Sequence, residues 1–380
     1  MADSEEEEEG VAEVEEQDKF KNVYDTAVFE NIKTENWGKI NMKEAMFYTA
    51  MPSGAVKCNL CARNCIIQPG KRGYCGVREN RNGRLYSLVY GKVCAYAIDP
   101  IEKKPFYHFF PGTLSFSFST VGCNFKCPWC QNWEISQPTQ IFGEEFSPED
   151  IVKMAKGTSG ISYTYTEPTV FFEFARDCAI LARKEGLYNT FVSNGYMTDE
   201  SMKEAIKFLD AIRIDLKAFN PDTYKKYLAA DIEVVKKNIK EFNKKIHTEV
   251  INLIIPEVND NPDEIRALCE WLKEVDKTIP LHFTAYYPAH KFTKPPTPLE
   301  TLIKARNIGL DVGIEYVYTG NIPGYEGENT YCPNCGTLLI ERYGFMITKN
   351  ILLRDGKFAK CPECGRKIKV VMKLDWMEKI

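Results

Sequence analysis

The chain has no run of about 18 apolar residues, so no membrane-spanning helix is expected. Its first 18 residues, "MADSEEEEEGVAEVEEQD", contain ten acids and not one lysine or arginine. A secretory leader needs a basic start and an apolar core, so this segment is not one, and a cytoplasmic location is expected. There thiols stay reduced, which excludes a disulfide framework as the reason for the cysteines. A block of like charges repels itself and buries little surface, so residues 1–50 are expected to be an acidic, disordered segment. The formal net charge of −4 is a product of that start: with the ten acids set aside, the rest of the 380-residue chain carries +6.

Against those absences stand fourteen cysteines. Eleven fall into three groups, which points to metal ligation. Cys94, Cys178 and Cys269 stand alone and read as small core residues. Cys332, Cys335, Cys361 and Cys364 lie in two C-P-x-C-G turns, whose four thiolates suit a structural zinc ion; residues 326–380 are therefore expected to be a zinc-ribbon-like module. The basic "GRKIKVVMK" that follows leaves nucleic-acid contact open. Cys58, Cys61, Cys65 and Cys75, in a cysteine-rich module over 51–111, suit either zinc or an iron–sulfur cluster, with a closed zinc site favoured.

The central group offers only three. "GCNFKCPWCQNW" places Cys123, Cys127 and Cys130 on one short loop. Three thiolates can hold three irons of a [4Fe–4S] cube and leave the fourth iron to a non-protein ligand, and an open position is what separates a catalytic metal site from a structural one. Trp129 can shield such a cluster from water. The competing reading is a structural site completed by Cys94 or Cys178.

Around this loop, residues 112–325 alternate between strands and helices. Strand-like runs occupy 114–121, 160–165, 188–194, 211–216, 247–255, 281–287 and 314–319. Helices are expected between most of them, with Ser147, Thr198 and Asn261–Pro262 at their starts. "LYSLVYGKVCAYAIDP" reads as two further strands joined through Gly91. Strands separated by helices imply a parallel sheet, and six or seven units fit a partial, open α/β barrel. In barrels, chemistry gathers at the C-terminal ends of the strands, where Cys123, Glu167, Asn194, Asp215 and Lys217 fall, with His282 in the sixth strand.

The C-x₃-C-x₂-C loop with an aromatic before its last cysteine, followed by α/β units, resembles the radical S-adenosylmethionine (SAM) superfamily. With "CNLCARNCIIQPGKRGYCGVREN", "DPIEKKPFYHFFPGT", "YTYTEPT" and "CPNCG…LIERYGF", residues 55–370 resemble the radical SAM enzymes of the AmmeMemoRadiSam system, relatives of pyruvate formate-lyase activating enzymes. The resemblance implies a (β/α)6-type barrel, a [4Fe–4S] cluster on Cys123, Cys127 and Cys130, and SAM chelating the fourth iron. It places Thr166 and Glu167 at the methionine amino group, in a strand end where the family's two glycines are here Tyr165 and Thr166. Ser193 and Asn194 match the activases' T-N-G, Asp215 and Lys217 their D-L-K, while His282 and Asn132 fall near the adenosine. Glu167 and Lys217 supply both signs that a zwitterionic methionine end needs.

The implied chemistry is reductive cleavage of SAM to a 5′-deoxyadenosyl radical that takes hydrogen from an unidentified substrate. The implied partners are an electron donor such as ferredoxin or flavodoxin and that substrate: a glycyl-radical protein, an RNA, a lipid or a small molecule. A non-catalytic zinc and iron–sulfur nucleic-acid-binding module is the alternative of a different class.

Overall fold

A computed structural model describes residues 42–378. The acidic start lies outside these residues. Residues placed with it at its end do fold: Lys43–Glu44 and Tyr48–Ala50 are strands.

The centre of the molecule is an eight-stranded sheet in which every strand lies beside its neighbour in sequence. We number its strands β1 (Ala95–Pro100), β2 (Leu114–Ser119), β3 (Gly160–Tyr163), β4 (Tyr188–Ser193), β5 (Ala211–Asp215), β6 (His247–Ile254), β7 (Leu281–Ala285) and β8 (Val317–Gly320). The first pair is antiparallel and all later pairs are parallel. Six helices connect β2 to β8: α1 (Pro148–Met154), α2 (Phe172–Lys184), α3 (Asp199–Phe208), α4 (Ile232–Asn243), α5 (Pro262–Asp276) and α6 (Leu299–Val312). This is an open (β/α)6 barrel with a seventh parallel strand and one antiparallel strand added at its start.

Local chemistry explains the helix starts. Ser147 and Asp150 form a reciprocal capping box, Thr198 accepts the Ser201 N–H, and Asn261 accepts the Asp263 N–H ahead of Pro262 in the first turn. Packing between strands can be as demanding. A side chain at Gly160 would place its Cβ 2.0 Å from the Tyr188 ring, so β3 and β4 approach closely only because that position is bare.

One sequence expectation needs correction. The runs on either side of Gly91 do not pair. Arg84–Ser87 belongs to a small sheet with Arg78–Arg81 and Lys43–Glu44, whereas Ala95–Pro100 joins the barrel. In the C-terminal region "LLIERYGFMI" forms a hairpin, Leu338–Tyr343 and Met346–Asn350, turning at Gly344 with φ of 60°. Three further short strands, Leu353–Asp355, Phe358–Lys360 and Lys367–Ile368, make a second sheet.

Both flanking regions are fastened to the barrel. Arg78, buried, donates to Glu173 of α2 at 2.6 Å. Arg342, also buried, donates to the Tyr107 carbonyl at 3.0 Å and stacks 4.1 Å from its ring. The basic "GRKIKVVMK" is largely spent on packing: Ile368, Val370 and Val371 are buried, Arg366 pairs with Glu315 and Lys369 with Asp276. Among the described residues no helix is long and apolar enough to cross a membrane.

Candidate active site

A cavity of about 470 Å³ opens at the C-terminal ends of the strands. Cys123, Cys127 and Cys130 line it, as do Asn132, Thr166, Glu167, Ser193, Asn194, Asp215 and Lys217. Ten of the eleven barrel-site residues picked from the sequence thus surround one space.

The cysteine loop follows β2 and is held from several sides. Cys123 Sγ accepts the Phe125 N–H at 3.3 Å, Cys130 Sγ lies 3.2 Å from Ser136 Oγ, and Gln137 donates to the Cys127 carbonyl at 3.2 Å. Trp129 is buried against Tyr227 and Phe292, with ring centroids 5.3 and 5.4 Å away. Burial pushes the Cys127 thiol up to about 11 and holds Cys123 well above its ordinary value; a bound metal reverses that preference, because it binds the thiolate. Cys94 and Cys178 do not complete the loop's ligand set. Cys94 lies within 3.5 Å of the Ser119 carbonyl, Cys178 is buried in α2, and neither lines the cavity.

Across the cavity, β5 and its continuation carry three charges on one face, because side chains two apart on a strand share a side. Arg213 and Lys217 both pair with Asp215, the latter at 2.6 Å. Burial would favour neutral forms, but the two cations outweigh it and hold the Asp215 carboxyl below its ordinary range. Likewise the Asp215 charge lifts the Lys217 ammonium above its ordinary value against the cost of burial. The Asp215–Lys217 pair lies at the strand end where the sequence put both residues, and it faces the cavity.

Glu167 is buried and closely held. Its Oε1 accepts from the Thr169 N–H at 3.0 Å, the Thr169 hydroxyl at 2.6 Å and the Ser193 hydroxyl at 2.8 Å; Oε2 accepts the Asn194 N–H at 2.8 Å. Burial raises its pKa despite these donors. A carboxylate has about four acceptor positions, so Oε2 retains capacity. Thr166 spends its hydroxyl on the Thr120 carbonyl at 2.8 Å. Asn194 donates to Asn124 Oδ1 at 2.7 Å, which ties the end of β4 to the cysteine loop.

Several residues escaped sequence reasoning. Arg213 is one; the alternation Arg213, Asp215, Lys217 was the available signal. Tyr165 is another. It sits at φ of 63°, a left-handed conformation costly for a non-glycine residue. Its hydroxyl donates to Asp99 at 2.6 Å, Lys104 Nζ lies 4.3 Å from its ring centroid, and Asn132 donates to its carbonyl at 2.7 Å. Asn132 thus reaches from the cysteine loop to the strained turn.

His282 must be corrected. It does not line the cavity. It is buried beneath it, donating through Nε2 at 2.7 Å to Glu249, which also accepts from His247 at 2.9 Å and from the backbone N–H groups of Tyr107 and His108. In register His282 is level with Asp215, through Ile251. Barrel strands tilt, however, so a hydrogen-bonded row descends as it crosses the sheet, and by β7 this row has left the cavity. Thr284, one pleat later, lines it instead.

The comparisons with known proteins follow this geometry. The profile described as the Radical SAM superfamily matches residues 117–272. A protein of Methanocaldococcus jannaschii, itself uncharacterized, is 48% identical over 338 residues, covering 87% of this chain and all of that protein. The chain belongs to the radical SAM superfamily. The pyruvate formate-lyase 1-activating enzyme of Escherichia coli is 22% identical over 180 residues, 44% of this chain and 71% of that enzyme. A solved domain of a pyruvate-formate lyase-activating enzyme from Bacteroides vulgatus aligns with a TM-score of 0.37 at 18% identity, over 43% of this chain and 99% of that one.

The radical SAM superfamily implies a [4Fe–4S] cluster and SAM. The residues present fit both. Three thiols line the cavity, the buried Asn124 Nδ2 beside Cys123 has no acceptor, and the lining carries charges of both signs. A cavity of this size is within the usual range for small-molecule sites.

Proposed function

We propose that this chain binds SAM in the rim cavity beside a [4Fe–4S] cluster on Cys123, Cys127 and Cys130, and uses it to abstract hydrogen from a substrate. The observation that carries the reading is the gathering of three cysteines on one loop and the Asp215–Lys217 pair around a single cavity. When bound, the cluster and SAM together supply an electron and a 5′-deoxyadenosyl radical. The protein's own residues bind and orient. Lys217 offers a cation to the methionine carboxylate, and Glu167 Oε2 an acceptor to its ammonium. Asp215 and Asn194 offer acceptors to ribose hydroxyls. Trp129, with Tyr227 and Phe292 behind it, keeps water from the cysteine loop.

For the substrate we favour a protein partner, with the chain acting as an activase that withdraws hydrogen from a glycine loop. The support is the likeness to enzymes named as activating enzymes, including the (2S)-3-sulfopropanediol dehydratase activating enzyme of Klebsiella oxytoca at 23% identity over 190 residues. The pairing of Arg366 with Glu315 and of Lys369 with Asp276 lowers the charge that the basic C-terminal strand could offer an RNA substrate. A donor of the ferredoxin or flavodoxin kind in the cytoplasm completes this reading. We assign zinc to Cys332, Cys335, Cys361 and Cys364, whose ligand atoms all lie within 4.8 Å of one another. The module boundaries at 51–111, 112–325 and 326–380 belong to the same proposal.

The test is anaerobic incubation of the reconstituted full chain with SAM and dithionite. 5′-Deoxyadenosine accumulating with time supports the reading; a chain carrying its cluster that leaves SAM intact overturns it.

A further inference from the structure

Cys58, Cys61, Cys65 and Cys75 line one narrow pocket, with Arg63 and Arg78 also on its wall. The sequence favoured zinc here. Three observations point elsewhere.

The first is spacing, for which the C-terminal group serves as an internal standard. There Cys332 and Cys364 lie 3.6 Å apart at sulfur, and Cys335 and Cys361 3.7 Å. One tetrahedral ion with Zn–S bonds of about 2.3 Å sets its sulfurs about 3.8 Å apart, so that group is drawn in as a single ion requires. Among the described residues, no three ligand atoms of the N-terminal group meet the same 4.8 Å limit, although all four thiols face one pocket. Thiols that surround a space more widely suit a cluster, in which each binds a different metal atom.

The second is an unanswered donor. Arg78 is 1% exposed, and its Nε has no hydrogen-bond partner. Its terminal nitrogens donate to Glu173 and to the Met46 carbonyl, leaving Nε as a buried donor on a residue that lines the cysteine pocket. Such a donor is costly unless an acceptor is supplied, and a thiolate or an inorganic sulfide is one.

The third is position. A Cβ at Gly122, where φ is +104°, would stand 3.1 Å from the Cys75 carbonyl oxygen, so the fourth N-terminal cysteine abuts the residue before Cys123. Arg63, between Cys61 and Cys65, donates through Nε to the Asn124 carbonyl at 2.9 Å, inside the central loop. Its guanidinium lies 4.3 Å from the Tyr74 ring and 5.4 Å from that of Phe125. The segments that carry the two cysteine sites are packed against each other. A structural zinc ion gains nothing from that adjacency, whereas a one-electron carrier depends on it.

We propose that Cys58, Cys61, Cys65 and Cys75 hold a second iron–sulfur cluster, which relays single electrons from a low-potential one-electron donor to the central site. The donor loses one electron and a ferric centre of the N-terminal cluster becomes ferrous. That electron then passes to the central cluster, and the N-terminal cluster returns to its oxidised state. No covalent bond is made or broken in the relay and no proton moves. The relay rests on the function proposed above; the identity of the N-terminal site does not.

The test uses the full chain reconstituted with iron and sulfide, and a Cys123→Ala/Cys127→Ala/Cys130→Ala variant that leaves the N-terminal site untouched. The proposal predicts that the variant keeps about four irons and four sulfides per chain, roughly half the wild-type load, and shows a reduced-cluster paramagnetic signal indifferent to SAM. A variant with no iron and a second zinc ion overturns it. A variant that keeps the entire wild-type iron load upholds the N-terminal cluster and refutes the central one. In a Cys65→Ser/Cys75→Ser variant, the SAM-sensitive signal should persist after dithionite, but reduction of the central cluster by ferredoxin should be lost. Undiminished reduction by ferredoxin overturns the relay.

Discussion

The barrel interior holds polar side chains at two levels, and it treats them differently. At the lower level Glu249 is completely buried and accepts four hydrogen bonds, from His247, His282 and two backbone N–H groups. At the upper level Asp215 and Lys217 are each 19% exposed and lean on each other at 2.6 Å. Arg213 and Glu249 are register neighbours on adjacent strands, yet only Arg213 lines the cavity. Strand parity thus puts a side chain in the interior, and height within the tilted barrel decides whether it is saturated by protein or left with capacity for a ligand. The same charges serve cohesion at one level and recognition at the other.

The sharpest way to break this comparison is at the upper level. Cys127→Ala should abolish the central cluster's absorbance and all 5′-deoxyadenosine formation, while the unfolding midpoint of the metal-free chain stays near wild type. Retained SAM cleavage would remove the cysteine loop from the chemistry.

At the lower level the expected damage is to stability. Glu249→Gln leaves two histidines and two backbone N–H groups with a weaker acceptor, so denaturant unfolding should show a loss of about 1.5–3 kcal/mol. Wild-type stability would mean that the lower level is not the tie we describe. A pH series sharpens the point. Burial favours the neutral acid, but hydrogen bonds from His247 and His282 prevail and hold Glu249 below its ordinary value of 4.5. A carboxylate depressed by folding stabilises above its unfolded pKa. Its contribution should be whole above pH about 4.5 and fall away below it, and the Gln variant should lack that part of the acid-induced loss.

A smaller effect is expected where rim and strand meet. Tyr165→Phe removes the hydroxyl bonded to Asp99, which keeps Lys103 and Lys104 as partners. The loss in unfolding free energy should be about 1–2 kcal/mol. No change would show that the strained turn is held by Asn132 and Lys104 without that bond.

The sequence was informative about some of these levels and silent about others. All seven parallel strands and the three foreseen helix starts were legible, because alternation and capping are local. The rim residues were legible as strand ends. His282 was misplaced because the stagger between strands accumulates across the sheet and leaves no trace in any one segment. The link of Asp99 and Lys104 to Tyr165 was invisible for a related reason: it depends on β1 joining the barrel antiparallel to β2, a long-range pairing that the Gly91 punctuation misrepresented. That the four N-terminal cysteines gather in one place was legible from their grouping, but their spacing in space was not.

The central claim is that height separates ligand-binding groups from cohesive ones. It is tested most directly by anaerobic SAM titration of Lys217→Ala and His282→Gln side by side, followed through the paramagnetic signal of the reduced central cluster. The account predicts that Lys217→Ala weakens SAM binding by about 2–5 kcal/mol with the cluster intact, because a buried charge partner is removed. His282→Gln should bind SAM like wild type and unfold more readily. Wild-type affinity in Lys217→Ala, or lost affinity in His282→Gln, would contradict it.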